Sequence, residues 1–383
     1  MVPPQILEDD SLIVVLRLPA ILSQKFTQKI SVFYFVFSIT HFCGAIVITL
    51  LNNEWNLLLS QYVAYISGGP LVFAAYTIMY QSSYQKMYNA LCSDIFPLFW
   101  PLRSLGNEDF NKFQKLAKMA IRWSKIVIVL ALATAIGALP WFGIEIDYDF
   151  ILPVKVAMDN CHGWLLKTFL IMFYSSYFHM TLTVVSNIFI LAYLVLHLYN
   201  QIRMLKVRLG NLSNGPDLAH AIYDPAYQEF AKTELISCIK LHQVLLKYTQ
   251  RINDYVYYPI FHYAAGAVLV GVSLILIPKN SLIIVIRIGC IALIAATAAV
   301  TFCVSGQLLE DESERIFVHA YNTPWVLWNT QNRKLIGLLL FKAQDTLVLS
   351  SSGLITLNYQ LLIRLYRTIY STLMFLLNVS ETV

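Results

Sequence analysis

Charged residues are scarce in this sequence. Only 13% of its 383 residues are Asp, Glu, Lys or Arg, whereas 58% are hydrophobic. Soluble domains usually carry about a quarter charged residues, so this chain has too little polar surface to be one. The net charge of +5 is small for the length and gives no sign of a nucleic-acid partner. The composition indicates an integral membrane protein.

Recognisable catalytic and cofactor-binding motifs are also missing. The sequence has no Walker loop, dinucleotide fingerprint, metalloprotease motif or zinc spacing. Its six cysteines show no pairing pattern, and its eight histidines are isolated from one another. We therefore expect no enzyme activity, no cofactor and no metal site. The function must then come from binding, from a pore, or from both.

Long apolar runs, in contrast, are frequent. A run of about 20 residues is long enough to cross a bilayer as a helix. Seven such runs occur, at 30–51, 61–81, 124–142, 164–198, 257–277, 283–304 and 347–377. We therefore expect an all-α membrane protein with a single seven-helix domain over residues 1–383. Residues 30–277 would hold spans one to five, and residues 283–380 spans six and seven.

The positions of Lys and Arg predict how the chain crosses the membrane. If the N-terminus is cytoplasmic, 21 of the 27 Lys and Arg residues fall on the inside and three on the outside. Cytoplasmic loops carry such an excess, so we expect the N-terminus inside and the C-terminus outside. This orientation is the opposite of that of a G-protein-coupled receptor.

The inside segment 201–254 differs from the other loops. The run from Asn211 to Pro216 predicts a turn, and an amphipathic helix through Leu235, His242 and Leu246 follows it. A cytosolic helix with an apolar face needs a partner. We expect that partner to be another subunit or the inner ends of the last spans.

The last apolar run carries a stripe on one face. After a charged turn at 310–315, residues recurring every three or four positions follow at Gly353, Thr356, Gln360, Arg364, Arg367, Ser371, Phe375 and Asn378. Such spacing places them on one side of a helix. An unpaired charge at the bilayer centre costs about 3 kcal/mol or more, so this side must face water or other helices. The chain is therefore expected to end in a helix that lines a water-filled space.

Aromatic and small residues are combined in the outer halves of spans two to six. Ligand pockets are mostly apolar and aromatic with a few polar groups, and glycine beside large rings leaves volume unfilled. The candidate ligand-binding residues are Phe73, Tyr76, Gly137, Trp141, Phe173 and Tyr177. The same composition also fits ordinary core packing or lipid-facing aromatic residues. A ligand there would be small and largely apolar, and the outside loop 143–163 is either a lid over it or a solvated loop.

Several motifs resemble those of the insect odorant receptors, in particular their odorant-specific subunits. The C-terminal part of the pattern is met at Gly306, Ser313-Glu314, Ala320-Tyr321, Trp325, Arg333, Ala343-Gln344, Leu347, Leu349, Gly353 and Thr368-Ile369-Tyr370-Ser371. The inside segment adds Gln201, Leu205 and Leu209, and a Cys-Ile-X-X-His run at Cys238, Ile239 and His242. Ala343 departs from the family's usual Ser, and Thr346 stands where Pro is common.

The resemblance implies a ligand-gated, non-selective cation channel in the plasma membrane of sensory neuron dendrites. Such subunits form heterotetramers with a shared odorant co-receptor subunit, Orco, held by the cytosolic ends of the last spans and the long inside loop. The final helix lines the pore, and matching Tyr370-Ser371 places the outer gate near Phe375. The implied pore residues are Arg364, Arg367, Ser371, Phe375, Asn378 and Val379. The co-receptor is longer, chiefly in its inside loop, so this chain is expected to be the odorant-binding partner.

Two alternatives remain open at this stage. One is a gustatory-type receptor channel of the same fold that works without the co-receptor, although its C-terminal Thr-Tyr and Gln-Phe signature is absent. The other is a secondary transporter, which would show repeats between its halves and broken helices at the midplane. No internal symmetry is visible in this sequence.

Overall fold

The structure is a computed structural model that describes residues 21–22, 24–52, 74–75, 77–79, 86, 96–101, 107–137, 164–212, 224–276, 282–351, 353 and 355–382. The helices are α1 Lys25–Asn52, α2 Asn107–Gly137, α3 Trp164–Asn211, α4 Pro225–Leu276, α5 Leu282–Tyr321, α6 Thr330–Ala343 and α7 Tyr359–Thr382. Short 3₁₀ turns lie at Phe96–Leu98 and Trp325–Leu327. Strands β1 Ser350–Ser351 and β2 Ile355–Thr356 form an antiparallel hairpin between α6 and α7.

Polar side chains mark where several helices begin. The Asp224 carboxylate accepts a hydrogen bond from the Ala226 N–H before α4, whose first residue is Pro225. Asn329 caps α6 by accepting from the Asn332 N–H, and Asn358 caps α7 by accepting from the Leu361 N–H. These contacts satisfy N–H groups that have no partner inside the helix.

Two helices are much longer than a bilayer crossing. α3 has 48 residues and α4 has 52, or roughly 72 and 78 Å at 1.5 Å per residue, against about 30 Å of hydrocarbon. Helix α3 continues past the predicted fourth span at 164–198 and ends at Asn211, where the turn was predicted. In α4, the predicted inside helix and fifth span form one continuous helix. α2 likewise begins at Asn107, well before the predicted start at 124.

The structure corrects two predictions near the C-terminus. Residues 310–315 lie within α5 and are not a turn, because the Gln307–Asp311 and Glu312–Arg315 contacts support a helix there. The final helix begins only at Tyr359. Gly353 and Thr356 therefore belong to the hairpin and not to the helical stripe. Gly353 has a φ of +70°, a conformation that glycine adopts without strain.

Most of the buried side chains form one packed region. Its residues come mainly from the second half of α3, the first half of α4, the second half of α5, and α6 with the hairpin, and Phe113, Ala117, Val127 and Ala131 of α2 join them. We call this region the basal core; the charge count predicts that it lies on the cytosolic side. By contrast, α1, α2 and α7 expose large apolar side chains such as Phe26, Val129 and Tyr366. Extensive apolar exposure of this kind marks surfaces that meet lipid or other protein.

Two described helical segments are long and apolar enough to cross a membrane, Thr181–Asn211 and Ala292–Tyr321. They belong to the predicted spans four and six. The other five spans and the orientation of the termini stay predictions.

Candidate functional site

The predicted ligand-binding residues lie largely outside the described part of the chain. Phe73, Tyr76 and Trp141 are not among the described residues, and for Gly137, Phe173 and Tyr177 only the helical backbone is described. Gly137 is the last residue of α2, and the other two are on α3. Whether the six form a pocket therefore stays a prediction.

The backbone nevertheless places two of these positions relative to α1. On α3, Ser175 accepts a hydrogen bond from the Tyr34 hydroxyl at 2.9 Å, and His179 Nε2 lies 2.7 Å from Ser31 Oγ. These contacts define the face of α3 that meets α1. Because successive residues advance by about 100°, positions 173 and 177 lie on the opposite face.

The predicted pore residues lie on a helix that its own chain leaves uncovered. Arg364, Arg367, Ser371 and Phe375 are all exposed, and Phe375 exposes 65% of its surface. Ile369, on the other side of α7, is also 67% exposed. Asn378 and Val379 are part of α7, but their side chains are not described. This 24-residue helix is therefore exposed on opposite faces, and the rest of the chain covers neither of them.

The segment from residue 345 to 358, which we call the junction, connects the basal core to α7. Asn253 of α4 binds its backbone on both sides, donating from Nδ2 to the Val348 carbonyl and accepting through Oδ1 from the Ser350 N–H, each at 3.0 Å. Residues Leu347, Leu349 and Leu357 of the junction are buried. The side chain of one α4 residue thus fixes the strand that leads to the final helix.

Helix α5 holds the same junction from its other side. Ser313 Oγ accepts from the Leu347 N–H at 3.0 Å, and Gln307 Oε1 accepts from the Tyr359 N–H at 3.2 Å, at the first residue of α7. Gly306 lies against the backbone of Leu357. Two of the sequence motifs, the Gly at 306 and the Ser at 313, therefore contact the segment that carries the predicted pore helix.

A polar network joins α4 to the 325–333 segment inside the basal core. Gln228 donates to the Leu327 carbonyl at 3.0 Å and accepts from the Asn329 N–H at 2.9 Å. The buried Asn332 donates to the Gln228 carbonyl at 2.8 Å and to its side-chain oxygen at 3.0 Å. Arg333 donates to the Trp328 carbonyl at 2.7 Å. Arg333 of the sequence motif is thus a residue that shapes the turn before α6.

An ion pair links α3 to α5 in the same region. Lys206 Nζ contacts the Glu312 carboxylate, and their side chains are only 11% and 8% exposed. Arg315 reaches the other Glu312 oxygen at 3.3 Å. Gln201, one of the motif residues, pairs with both backbone groups of Trp100, whose ring lies 4.0 Å from the Arg208 guanidinium.

Burial keeps two titratable motif residues uncharged. It raises the pKa of the Cys238 thiol to about 12, with the nearby Glu234 carboxylate acting in the same direction. It also lowers the pKa of His242. A protonated thiol and a neutral imidazole in a packed helix interface are structural groups, with neither nucleophile nor base exposed. Within the described ranges, no cluster of His, Cys, Asp and Glu has the arrangement of a metal site.

Sequence reasoning did not find the polar residues that organise the junction and the basal core. Asn253, Gln228 and Lys206 belong to no motif, and each occurs among residues of helical periodicity. Their partners lie about 95 to 106 residues away in the sequence. The only available indication was a polar side chain on an otherwise apolar helix face.

Comparison with known proteins gives matches at the level of family and of fold. A model of the 7tm odorant receptor family matches residues 101–370. The insect olfactory receptor OR5 from Machilis hrabei has a TM-score of 0.63 at 11% identity, covering 94% of this chain and 90% of OR5. Its complex with eugenol has a TM-score of 0.61 at 13% identity, covering 97% and 100%. The comparison with curated protein sequences found no match.

Proposed function

The chain belongs to the insect odorant receptor family, and we propose that it is the odorant-binding subunit of a heteromeric, ligand-gated, non-selective cation channel. The observation that supports this most directly is the exposure of α7. Its polar stripe and its apolar faces are both uncovered by the rest of the chain. Neighbouring subunits around a pore would cover the apolar faces and leave the stripe to water. The proposed partner is the odorant co-receptor subunit in a heterotetramer in the plasma membrane.

The proposed ligand is a small volatile odorant, apolar or aromatic, that binds in the outer half of the membrane. Phe73, Tyr76, Gly137, Trp141, Phe173 and Tyr177 are the proposed wall of its pocket. Eugenol, which OR5 of Machilis hrabei was solved with, is a natural first compound to test. Positions 173 and 177 lie on the face of α3 opposite to the one that contacts α1, and this supports a ligand site on that face.

The junction offers a route from this pocket to the pore. A ligand opens a channel only if it binds the open state better than the closed one. We propose that such binding moves the outer part of α4, and that Asn253 passes the movement to the strand before α7. During this movement, the hydrogen bond from the Tyr359 N–H to Gln307 keeps the first turn of α7 attached to α5. The helix would then pivot near Tyr359 and widen the constriction near Phe375.

The central test is current from cells that express this chain with and without the co-receptor. The cells are challenged with eugenol and with a panel of aromatic, terpenoid and ester volatiles. Odorant-evoked cation current only in co-expressing cells is the expected result. Equal currents without the co-receptor would show a self-sufficient channel, and silence in both conditions, with the chain detected at the surface, would contradict the proposal.

The pocket is tested with an active odorant in hand. Tyr76→Ala and Trp141→Ala are each expected to raise the half-maximal odorant concentration about tenfold, because each removes an aromatic contact worth about 1.4 kcal/mol. Val129→Ala, on the exposed face of α2, is the matched control and should leave the curve in place. If both aromatic variants match the wild type, the pocket lies elsewhere.

The gate is tested separately from the pocket. Phe375→Ala is expected to produce a standing cation current without odorant, because it shortens the side chain at the proposed constriction. Ile369→Ala removes an equally exposed apolar side chain from the opposite face of α7 and should not. If the Phe375→Ala channel stays closed without odorant, Phe375 is not part of the gate.

A further inference from the structure

A row of basic side chains runs along one side of α2. Lys115, Lys118, Arg122 and Lys125 follow one another at intervals of three, four and three residues, which places them within an arc of about 80°. All four are exposed. The opposite side of α2, with Phe113 as an example, packs into the protein. The row is therefore a feature of the protein surface.

Among the described residues, this row has no oppositely charged partner. None of its four residues forms an ion pair or hydrogen bond with another residue of the described chain. Basic residues of the basal core differ in this respect, since Lys206, Arg208 and Arg315 each have a carboxylate partner. Four unpaired cations side by side favour a partner with several negative charges.

The same side of α2 becomes apolar immediately after the row ends. Ile126, Val129, Leu132 and Ile136 follow on it, each exposed by between 37% and 66%. No charged residue occurs between Lys125 and the end of α2 at Gly137. A helix surface that is basic and then apolar matches a membrane boundary, with phosphate head groups beside the first part and acyl chains beside the second.

From this juxtaposition, we propose that the basic row of α2 binds the head group of a phosphoinositide in the inner leaflet. A phosphoinositide carries several phosphate charges on one head group, whereas phosphatidylserine carries one net charge. Lys118, Arg122 and Lys125 are neighbours on the helix surface, so one polyvalent head group reaches all three. This proposal requires the N-terminal end of α2 to be cytoplasmic, and it therefore rests on the orientation that the proposed channel function implies.

Binding is measured on the purified full chain in detergent micelles, using fluorescence anisotropy of a labelled short-chain phosphatidylinositol bisphosphate. The variant Lys118→Gln/Arg122→Gln/Lys125→Gln is expected to bind about a hundredfold more weakly, because each of the three charges contributes a factor of about five to the affinity. Lys240→Gln/Lys247→Gln, which neutralises two exposed lysines of α4, is the charge control and should bind like the wild type.

A charge-retaining variant separates recognition from folding. Lys118→Arg/Arg122→Lys/Lys125→Arg keeps every charge and should keep binding. Unchanged binding by the triple Gln variant would overturn the proposal. The proposal would also be overturned if the α4 control variant lost as much binding. The same holds if phosphatidylserine competed as well as the phosphoinositide at matched total charge. The assay needs neither odorant nor co-receptor, so its outcome is independent of whether the chain gates a channel.

Discussion

Gly306 of α5 lies so close to Leu357 that a Cβ atom at position 306 would fall 1.8 Å from the Leu357 carbonyl oxygen. Real Cβ atoms do not approach other atoms to less than about 3.0 Å, and here the obstacle is backbone, which cannot rotate away. The glycine therefore permits α5 and the segment before the final helix to meet directly. Its role is packing, since no positive φ is involved.

Gly306→Ala is expected to force the Leu357 segment away from α5 and to destabilise the protein by about 1–3 kcal/mol. The melting temperature of the purified chain measures this. Gly289→Ala is the matched control, because position 289 is on the same helix and has nothing within 4 Å. There, alanine should be neutral or stabilising by up to about 1 kcal/mol. Equal melting temperatures for the two variants would mean that the close contact is not maintained.

Asn253→Ala is expected to lower the maximal odorant-evoked current while leaving surface expression unchanged. The substitution removes two hydrogen bonds, each worth about 1 kcal/mol, and frees the strand that precedes α7 from α4. Thr249→Val is the control one turn earlier, since the Thr249 hydroxyl donates to the Leu245 carbonyl of its own helix and contacts no other element among the described residues. An unaltered maximal current in Asn253→Ala would exclude this side chain from coupling.

Glu312→Gln is expected to destabilise the chain by about 3–5 kcal/mol, because it leaves the ammonium group of Lys206 buried without its carboxylate. Adding Lys206→Met should restore most of the loss, since an apolar pair needs no charge compensation. Thermal unfolding of the two single variants and the double variant measures the coupling. Additive losses would show that the ion pair is energetically unimportant.

Acidification is expected to destabilise the basal core through His242. Burial lowers its pKa in the folded chain, whereas the unfolded chain titrates near 6.5. The unfolded state therefore binds more protons below pH 6.5, and the stability present above that pH is lost as the pH falls. His242→Gln should flatten this part of the curve of melting temperature against pH. The same acid sensitivity in the variant would assign it to other groups.

The sequence predicted the helices well where composition and periodicity carry the information. The helix at α1, the long helix α3 and its end at Asn211 follow from apolar length and from a turn-forming run. The predicted start of α7 was wrong, because the hairpin before it depends on long-range contacts of the junction and the helix begins only after its capping residue Asn358. Those contacts bring together residues that are far apart in the chain, and no local pattern encodes them.

The candidate sites were predicted unequally. Spacing alone put Arg364, Arg367 and Ser371 on one face of a helix, and these positions do lie within α7. That this face lines a pore stays a prediction, because α7 is exposed on its other side as well. Asn253 was not foreseen, because an isolated Asn in a helix gives no indication that it binds a strand 95 residues later. The physical reason is general: periodicity predicts which face a residue occupies, but not which distant segment meets that face.

The buried Trp328 has a consequence for biosynthesis. Its indole N–H donates to the Tyr227 hydroxyl, 101 residues earlier, and Tyr227 in turn donates to the Leu212 carbonyl. The hydrogen bond from Trp328 cannot form until the chain beyond α5 has left the ribosome. The basal core therefore cannot be completed until this late segment has been synthesised, after the first five helices. A chain truncated after α5 would expose this unfinished surface, which gives cellular quality control a ready means of distinguishing complete subunits from fragments.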